Sequence, residues 1–131
     1  MKVLFLVSSM GGGGAERVTS LLCNSWACRG DEVVLVPTFS GRGEVYYELE
    51  PSVRVEFLAD RVRGRRNKWL RLWALRRLLH AERPNLVVSF LTEVNIAALL
   101  AGWTSDVPII VSERTYPPLQ SPPLGMTVRL L

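Results

Sequence analysis

An apolar run that breaks into four glycines and resumes as a helix, VLFLVSSMGGGGAERVTSLL from Val3 to Leu22, constrains this chain more than any other stretch. A strand with one solvated face alternates apolar and polar residues. Residues 2–8 do not alternate, which is how a strand covered on both faces reads in a parallel sheet. From Ala15 to Arg29 the period changes, with Ala15, Val18, Leu22 and Trp26 at helical spacing and Gly30 as the stop. DEVVLVPTF then supplies a second buried strand, completing a βαβ unit whose crossover is right-handed almost without exception.

The alternation recurs downstream. After turn residues at Ser40 to Gly43, Val53 to Leu58 alternates like an edge or third strand, and Asn67 to Glu82 forms a basic helix that Pro84 ends. NLVVSF is a further buried strand, Val94 to Trp103 a helix, and VPIIVS a strand. The expected fold is α/β: a Rossmann-like open, mostly parallel sheet with helices on both faces. Its 131 residues suit a single domain spanning 1–131, and 48% hydrophobic with 21% charged residues describes a folded globular chain. The tail, ERTYPPLQSPPLGMTVRLL, holds four of the eight prolines and ends as MTVRLL starts an amphipathic helix, so a half of a longer protein is expected.

Several function classes are disfavoured at this point. The opening MKVLFLVSSM leads into glycines rather than a small-residue cleavage site, so it reads as a strand and not a signal peptide. Thr92, Glu93, Asn95 and Asp106 interrupt the most apolar region, short of the roughly 18–20 apolar residues a membrane span needs. Cys23 and Cys28 project about 140° apart on a helix, so no disulfide is expected, which suits a reducing cytoplasm. With one histidine and no Cys/His cluster, no metal is expected either.

At the carboxyl end of a first parallel strand, a glycine loop lets backbone approach a ligand closely and aims the free N–H groups of the next helix at it, phosphate being the usual ligand. A P-loop would end in Gly-Lys-Ser/Thr, whereas these glycines run into Ala15-Glu16-Arg17. The dinucleotide fingerprint places its third glycine where Glu16 or Arg17 stands, and the second strand ends VPTFSG with no acid for a ribose hydroxyl. NAD is disfavoured.

These residues carry a resemblance. SSMGGGGAERVTSLLCNSWACRGDEVVLV, RPNLVVSFLTEVNIAALLAG and VPIIVSERTYPP together resemble the N-terminal half of family 4 retaining glycosyltransferases of the GT-B fold, over nearly the whole chain. The Gly-Gly-Ala-Glu-Arg run and Ser-Glu-Arg after the last strand are its most specific parts. The resemblance implies a two-domain enzyme whose N-terminal half binds the acceptor and whose C-terminal half grips a nucleotide sugar, without a cofactor or metal. The family's paired acidic motif lies in that C-terminal half and has no counterpart here. Carried over, Gly12, Gly13 and Gly14 would face the donor diphosphate, and bulk at Gly13 would exclude a positive-φ backbone. Glu16, Thr92, Glu93 and Asn95 would sit by the acceptor, and Glu113 and Arg114 by the chemistry. Many relatives hold a histidine-aspartate pair where Glu113 stands, so a proton-transfer role does not carry over. Cap, turn or ion-pair roles remain alternatives for Glu16, Glu93, Asn95, Glu113 and Arg114.

The charge is uneven. Arg61, Arg63, Arg65, Arg66, Lys68, Arg71, Arg76 and Arg77 are half of the 16 basic residues and have no acid among them, so a +8 segment sits in a chain whose net charge is only +4. Such asymmetry points to an anionic partner. Leu72, Leu75 and Leu79 form the core stripe of this helix, while Trp69 and Trp73 flank the arginines. That is the composition of an interfacial membrane helix, with Arg63, Arg65, Arg66, Lys68, Trp69 and Trp73 as contacts. A solvated basic helix with inward tryptophans is the alternative. Nucleic acid is not expected, since no known binding motif accompanies the patch.

The expected whole is the acceptor-side domain of a glycosyltransferase, peripheral on the cytoplasmic face of an anionic membrane. Its partners would be a nucleotide-sugar donor, a lipid-linked or polysaccharide acceptor and a C-terminal donor-binding domain. The alternatives are a non-catalytic membrane-docking subunit that recruits a separate donor-binding chain, and a simple nucleotide-binding Rossmann domain.

Overall fold

The computed structural model describes residues 1–39, 45–63 and 67–114. In chain order the elements are β1 (Lys2–Val7), α1 (Gly14–Cys28), β2 (Glu32–Pro37), β3 (Arg54–Val55), α2 (Leu58–Arg61), α3 (Lys68–Glu82), β4 (Leu86–Phe90), α4 (Thr92–Gly102) and β5 (Ile109–Ser112). The five strands form one parallel sheet in the order β3-β2-β1-β4-β5. This is the expected Rossmann-like α/β architecture, with β1 at the centre.

The pleat explains both faces of the core. Leu4 and Leu6 of β1 point to the α3–α4 side, where they meet Val34, Val36, Leu75, Leu78, Val87 and Ala98. Val3, Phe5 and Val7 point the other way, against the α1 side with Cys23, Val33, Leu35 and Phe90. All five of these β1 side chains are fully buried, which is why the run lacks polar alternation.

The helix ends follow their caps. Asn67 accepts a hydrogen bond from the backbone N–H of Trp69 at 2.9 Å and starts α3, and Arg83 in the left-handed region (φ 45°) ends it before Pro84. The buried residues of α3 are Ala74, Leu75, Leu78 and Leu79, while Leu72 is only partly covered. At the opposite edge of the sheet from the glycine loop, Glu82 receives Lys2 at 2.8 Å and Arg54 at 2.6 Å, tying the end of α3 to β1 and β3.

One expectation needs correction. The third strand, expected over Val53 to Leu58, pairs with β2 through Arg54 and Val55 only, and Leu58 instead opens the short helix α2 with its side chain buried. The Glu56 N–H still reaches Leu35 O at 2.8 Å, and pairing ends there as Leu58 enters the core cluster that holds Leu75. The turn at Ser40 to Gly43 and the ending MTVRLL lie outside the described residues.

Candidate functional site

Because every strand is parallel, the segments leaving β1, β2, β4 and β5 share one edge of the sheet. The chain leaves β1 toward β2 on one side and reaches β4 on the other, so a crevice opens between the ends of β1 and β4. In open α/β sheets such a switch point is where ligands bind. The glycine loop borders it from β1, and the start of α4 borders it from β4.

The loop geometry corrects one expectation. Among the described glycines only Gly30 (φ 89°) has positive φ, and Gly13, the residue before α1, has φ −80° and ψ 170°. The loop glycines are therefore not required by backbone conformation. Nor are most of them required by packing: a Cβ on Gly11 or Gly14 would meet nothing within 4 Å, and one on Gly12 would lie in ordinary contact, 3.7 Å from the ring of Tyr46. No side-chain cap takes up the N–H groups at the start of α1, and the four glycines before and at its first residue bring no side chains of their own.

Gly13 is the exception, because a Cβ there would overlap the carboxylate of Glu16. That carboxylate folds back over the start of α1 and accepts a hydrogen bond from Ser9 Oγ at 3.1 Å. A negative charge at a helix N-terminus is favoured by the dipole.

On the far side of the crevice, Leu91 makes the turn from β4 into α4 with φ 76° and ψ 144°. Its N–H reaches Ser112 O at 3.2 Å and its carbonyl accepts from Asn95 N at 2.8 Å. The Asn95 amide is spent inside the protein: its Oδ1 accepts from Ser89 Oγ at 2.7 Å, and its Nδ2 donates to Ser112 O at 3.2 Å. Asn95 thus fixes β4, α4 and β5 together beneath the rim. Above it, Thr92 Oγ1 donates to the Glu113 carboxylate, whose other oxygen accepts from the Arg114 N–H at 3.0 Å. The Arg114 guanidinium lies over Phe90, 5.5 Å from its centroid. Thr92, Glu113 and Arg114 therefore form one cluster, and Glu93 is exposed beside it.

Sequence reasoning missed several neighbours. Tyr47 donates its hydroxyl to Gly12 O at 3.0 Å, and Tyr46, packed edge-to-face on Tyr47, rests against the loop while staying 73% exposed. Asn24 of α1 places them through hydrogen bonds to Glu48 and Glu50. A pair of adjacent tyrosines was a visible signal; the tether was not.

The basic helix keeps both tryptophans outside: Trp69 is 78% and Trp73 55% exposed, which removes the inward-packed alternative. The Arg77 guanidinium covers the Trp73 ring at 4.7 Å. Lys68 and Arg63 are exposed, while Arg65 and Arg66 lie outside the described residues. Leu99 and Leu100 of α4 and Trp103, which caps it, are also exposed. The signal for these was the all-round apolar sequence of α4, which a surface helix does not need. Between α3 and α4 lies a pocket of about 390 Å³ lined by Phe39, Trp69, Arg71, Leu72, Glu93 and Leu100 among others. Among the described residues no helix is long and apolar enough to cross a membrane. Among them, too, no group of acids, histidines and cysteines is placed to hold a metal.

With this geometry, two comparisons bear on the family and a third on the fold. A transferase of Campylobacter jejuni named GalNAc-alpha-(1->4)-GalNAc-alpha-(1->3)-diNAcBac-PP-undecaprenol alpha-1,4-N-acetyl-D-galactosaminyltransferase is 31% identical over 120 residues. The match takes in 88% of this chain and 33% of that protein, so the chain spans about a third of the relative's length. The Bordetella bronchiseptica enzyme WbmH, solved in complex with NAD+, superposes with a TM-score of 0.52 at 18% identity, covering 82% of this chain and 36% of that one. That likeness concerns the fold alone. The Glycosyl transferase 4-like domain matches residues 13–131, and the chain belongs to that family.

Proposed function

We propose that this chain is the acceptor-side half of a glycosyltransferase that moves a sugar from a nucleotide-sugar donor onto a lipid-linked or glycan acceptor. The observation that carries the reading is the glycine loop at the switch point. Gly11, Gly12 and Gly14 answer no demand of backbone conformation or internal packing, so an outside group that needs close approach accounts for them. Departure of a nucleoside diphosphate builds negative charge, and fixed N–H donors at Gly12, Gly13 and Gly14 stabilise it as it forms. The donor itself is gripped by a C-terminal domain, in the same or a separate chain.

In this reading Glu16, Thr92 and Glu93 receive acceptor hydroxyls, with Asn95 positioning the last two. Arg114 adds positive charge toward the diphosphate, and Glu113, held by Thr92, orients the attacking hydroxyl. Transfer retains anomeric configuration through same-face attack assisted by the departing phosphate. The exposed Trp69 and Trp73 beside Lys68 support docking of α3 on an anionic membrane from its cytoplasmic side. The Campylobacter relative, whose name specifies an undecaprenol diphosphate-linked substrate, supports the lipid-linked option.

The test is reconstitution. Residues 1–131 alone should transfer no sugar from any nucleotide sugar in a broad panel, and transfer should appear when the donor-binding half is supplied. Turnover by the isolated chain would overturn the two-half account.

A further inference from the structure

The α3–α4 pocket is separate from the glycine loop and borders the acceptor cluster through Glu93. Its floor is apolar, with Leu58 and Leu75 buried and Leu72, Ile96 and Ala97 forming the walls. Its mouth opens among exposed side chains, Trp69 and Leu100 on the apolar side and Lys68 and Glu93 on the polar side. A volume of about 390 Å³ is within the range of small-molecule sites.

Some cations of the fold are paired with carboxylates of the described residues and others, Arg17, Arg76, Arg77 and Arg83 among them, are not. Lys2, Arg29, Arg54 and Arg61 each have a carboxylate partner. Among the described residues, neither Lys68 nor Arg71 has one within ion-pair distance. The Arg71 guanidinium stacks over Phe39 at 5.1 Å, and its Nε is the one buried side-chain nitrogen or oxygen among the described residues without a hydrogen-bond partner. A positive rim above a greasy floor complements an amphiphile with an anionic head. Free phosphate would leave the floor without a purpose, and a neutral hydrocarbon would leave Lys68 and Arg71 without one.

We propose that this pocket binds a lipid phosphate, its head group on Lys68 and Arg71 and its head-proximal hydrocarbon between Leu72, Leu75, Ile96 and Ala97. The inference rests on the reading of a lipid-linked acceptor and assigns that lipid a place. Glu93 at the mouth then stands between the lipid head and the Thr92–Glu113 cluster, so a sugar attached to the head extends toward the crevice. The exposed Trp69 and Leu100 stand at the entrance.

The experiment titrates the full chain with farnesyl diphosphate, inorganic pyrophosphate and farnesol, following tryptophan fluorescence and equilibrium dialysis in parallel. Farnesyl diphosphate should bind saturably and at least tenfold more tightly than either half-ligand. Ala97→Phe, which fills the pocket, should reduce its affinity to that of pyrophosphate. Leu100→Glu, at an exposed site that leaves the fold intact, should do the same. Arg71→Gln should weaken farnesyl diphosphate tenfold and leave farnesol unchanged. Equal affinity for pyrophosphate and farnesyl diphosphate, or farnesyl binding indifferent to Ala97→Phe and Leu100→Glu, overturns the proposal. Sugar transfer that persists while lipid binding ignores the pocket sinks this inference and leaves the glycosyltransferase reading standing. Pocket-dependent lipid binding without any transfer from the reconstituted halves does the reverse.

Discussion

Replacing Gly14 by alanine should make the protein more stable and less active. The first half follows from geometry: Gly14 is the first residue of α1, its φ is not positive, and an added Cβ meets nothing within 4 Å. Under those conditions a Gly→Ala change removes unfolded-state entropy and stabilises by about 0.4–1 kcal/mol. For a domain of this size that raises Tm by roughly 1–5 °C. The second half follows from the proposed ligand. A methyl group between the N-terminal N–H groups of α1 and a diphosphate forces them apart, and the loss of one such donor at developing charge costs about 2.7–4 kcal/mol. Donor use should therefore fall at least tenfold, equivalent to about 1.4 kcal/mol.

Two further substitutions, one at each end of α1, serve as controls that should not stabilise. Gly13→Ala sends a methyl into the Glu16 carboxylate and displaces its bond from Ser9, a loss of about 0.5–1.5 kcal/mol that offsets the same entropic gain of about 0.4–1 kcal/mol, so it should show none of the stabilisation of Gly14→Ala. Gly30→Ala meets no atoms but sits at φ 89°, so it should destabilise by about 1 kcal/mol and leave donor use alone. Thermal melts and donor-saturation kinetics on the three variants of the reconstituted enzyme decide the matter. A stabilised Gly14→Ala with unchanged kinetics would refute the ligand argument. A destabilised one would refute the reading of the loop as unconstrained by the fold.

Other outcomes follow from the same structure. Binding to anionic liposomes should exceed binding to neutral ones and weaken with salt, and replacing Arg63, Arg65, Arg66 and Lys68 by Gln should cost up to about 4 kcal/mol of partitioning, read by co-sedimentation. Burial raises the Glu82 carboxyl, but hydrogen bonds from Arg54 and then Lys2 outweigh it and hold the group below the usual carboxylate range. Its stabilisation is therefore complete above the unfolded value near 4.5 and lost as pH falls through the lower folded value. Glu82→Gln should cost about 1–3 kcal/mol at neutral pH, discounted because Arg54 is half exposed, and should flatten the acid limb of a stability profile. Burial pushes the Cys23 thiol up to about 12, whereas Cys28 is exposed. A neutral-pH thiol reagent should label Cys28 alone in the native protein, and labelling of Cys23 at the same rate would contradict the packing of α1 on β1.

What the sequence revealed depended on whether the cause was local. β1, β2 and β4 were legible because side chains buried on both faces leave no polar alternation, and α3 because Asn67 and Pro84 bracket it. Helix α2 was hidden, since four residues are too few to show a period and Leu58 is claimed by the core rather than by strand pairing. Four glycines announced a bare loop, but not that its φ angles are ordinary; a glycine has no side chain under either condition, and only coordinates separate the two. Asn95 looked like a site residue because polar residues after a strand face the crevice edge, yet its partners Ser89 and Ser112 arrive from other strands. The α3–α4 pocket had no local signature at all, because it exists only where two helices fail to close over Leu58 and Leu75.

The bend at Leu91 carries a further consequence. A leucine at φ 76° is held against its own preference, a conformation that typically costs about 1–3 kcal/mol. It persists because Ser112 and Asn95 pin both of its backbone groups and its side chain packs beneath the sheet. The junction therefore behaves like a loaded spring whose catch is in β5: while β5 is in register, α4 begins at Thr92 and nowhere else. If β5 frays, Leu91 relaxes to a commoner backbone, and the rim residues Thr92 and Glu93 turn with it.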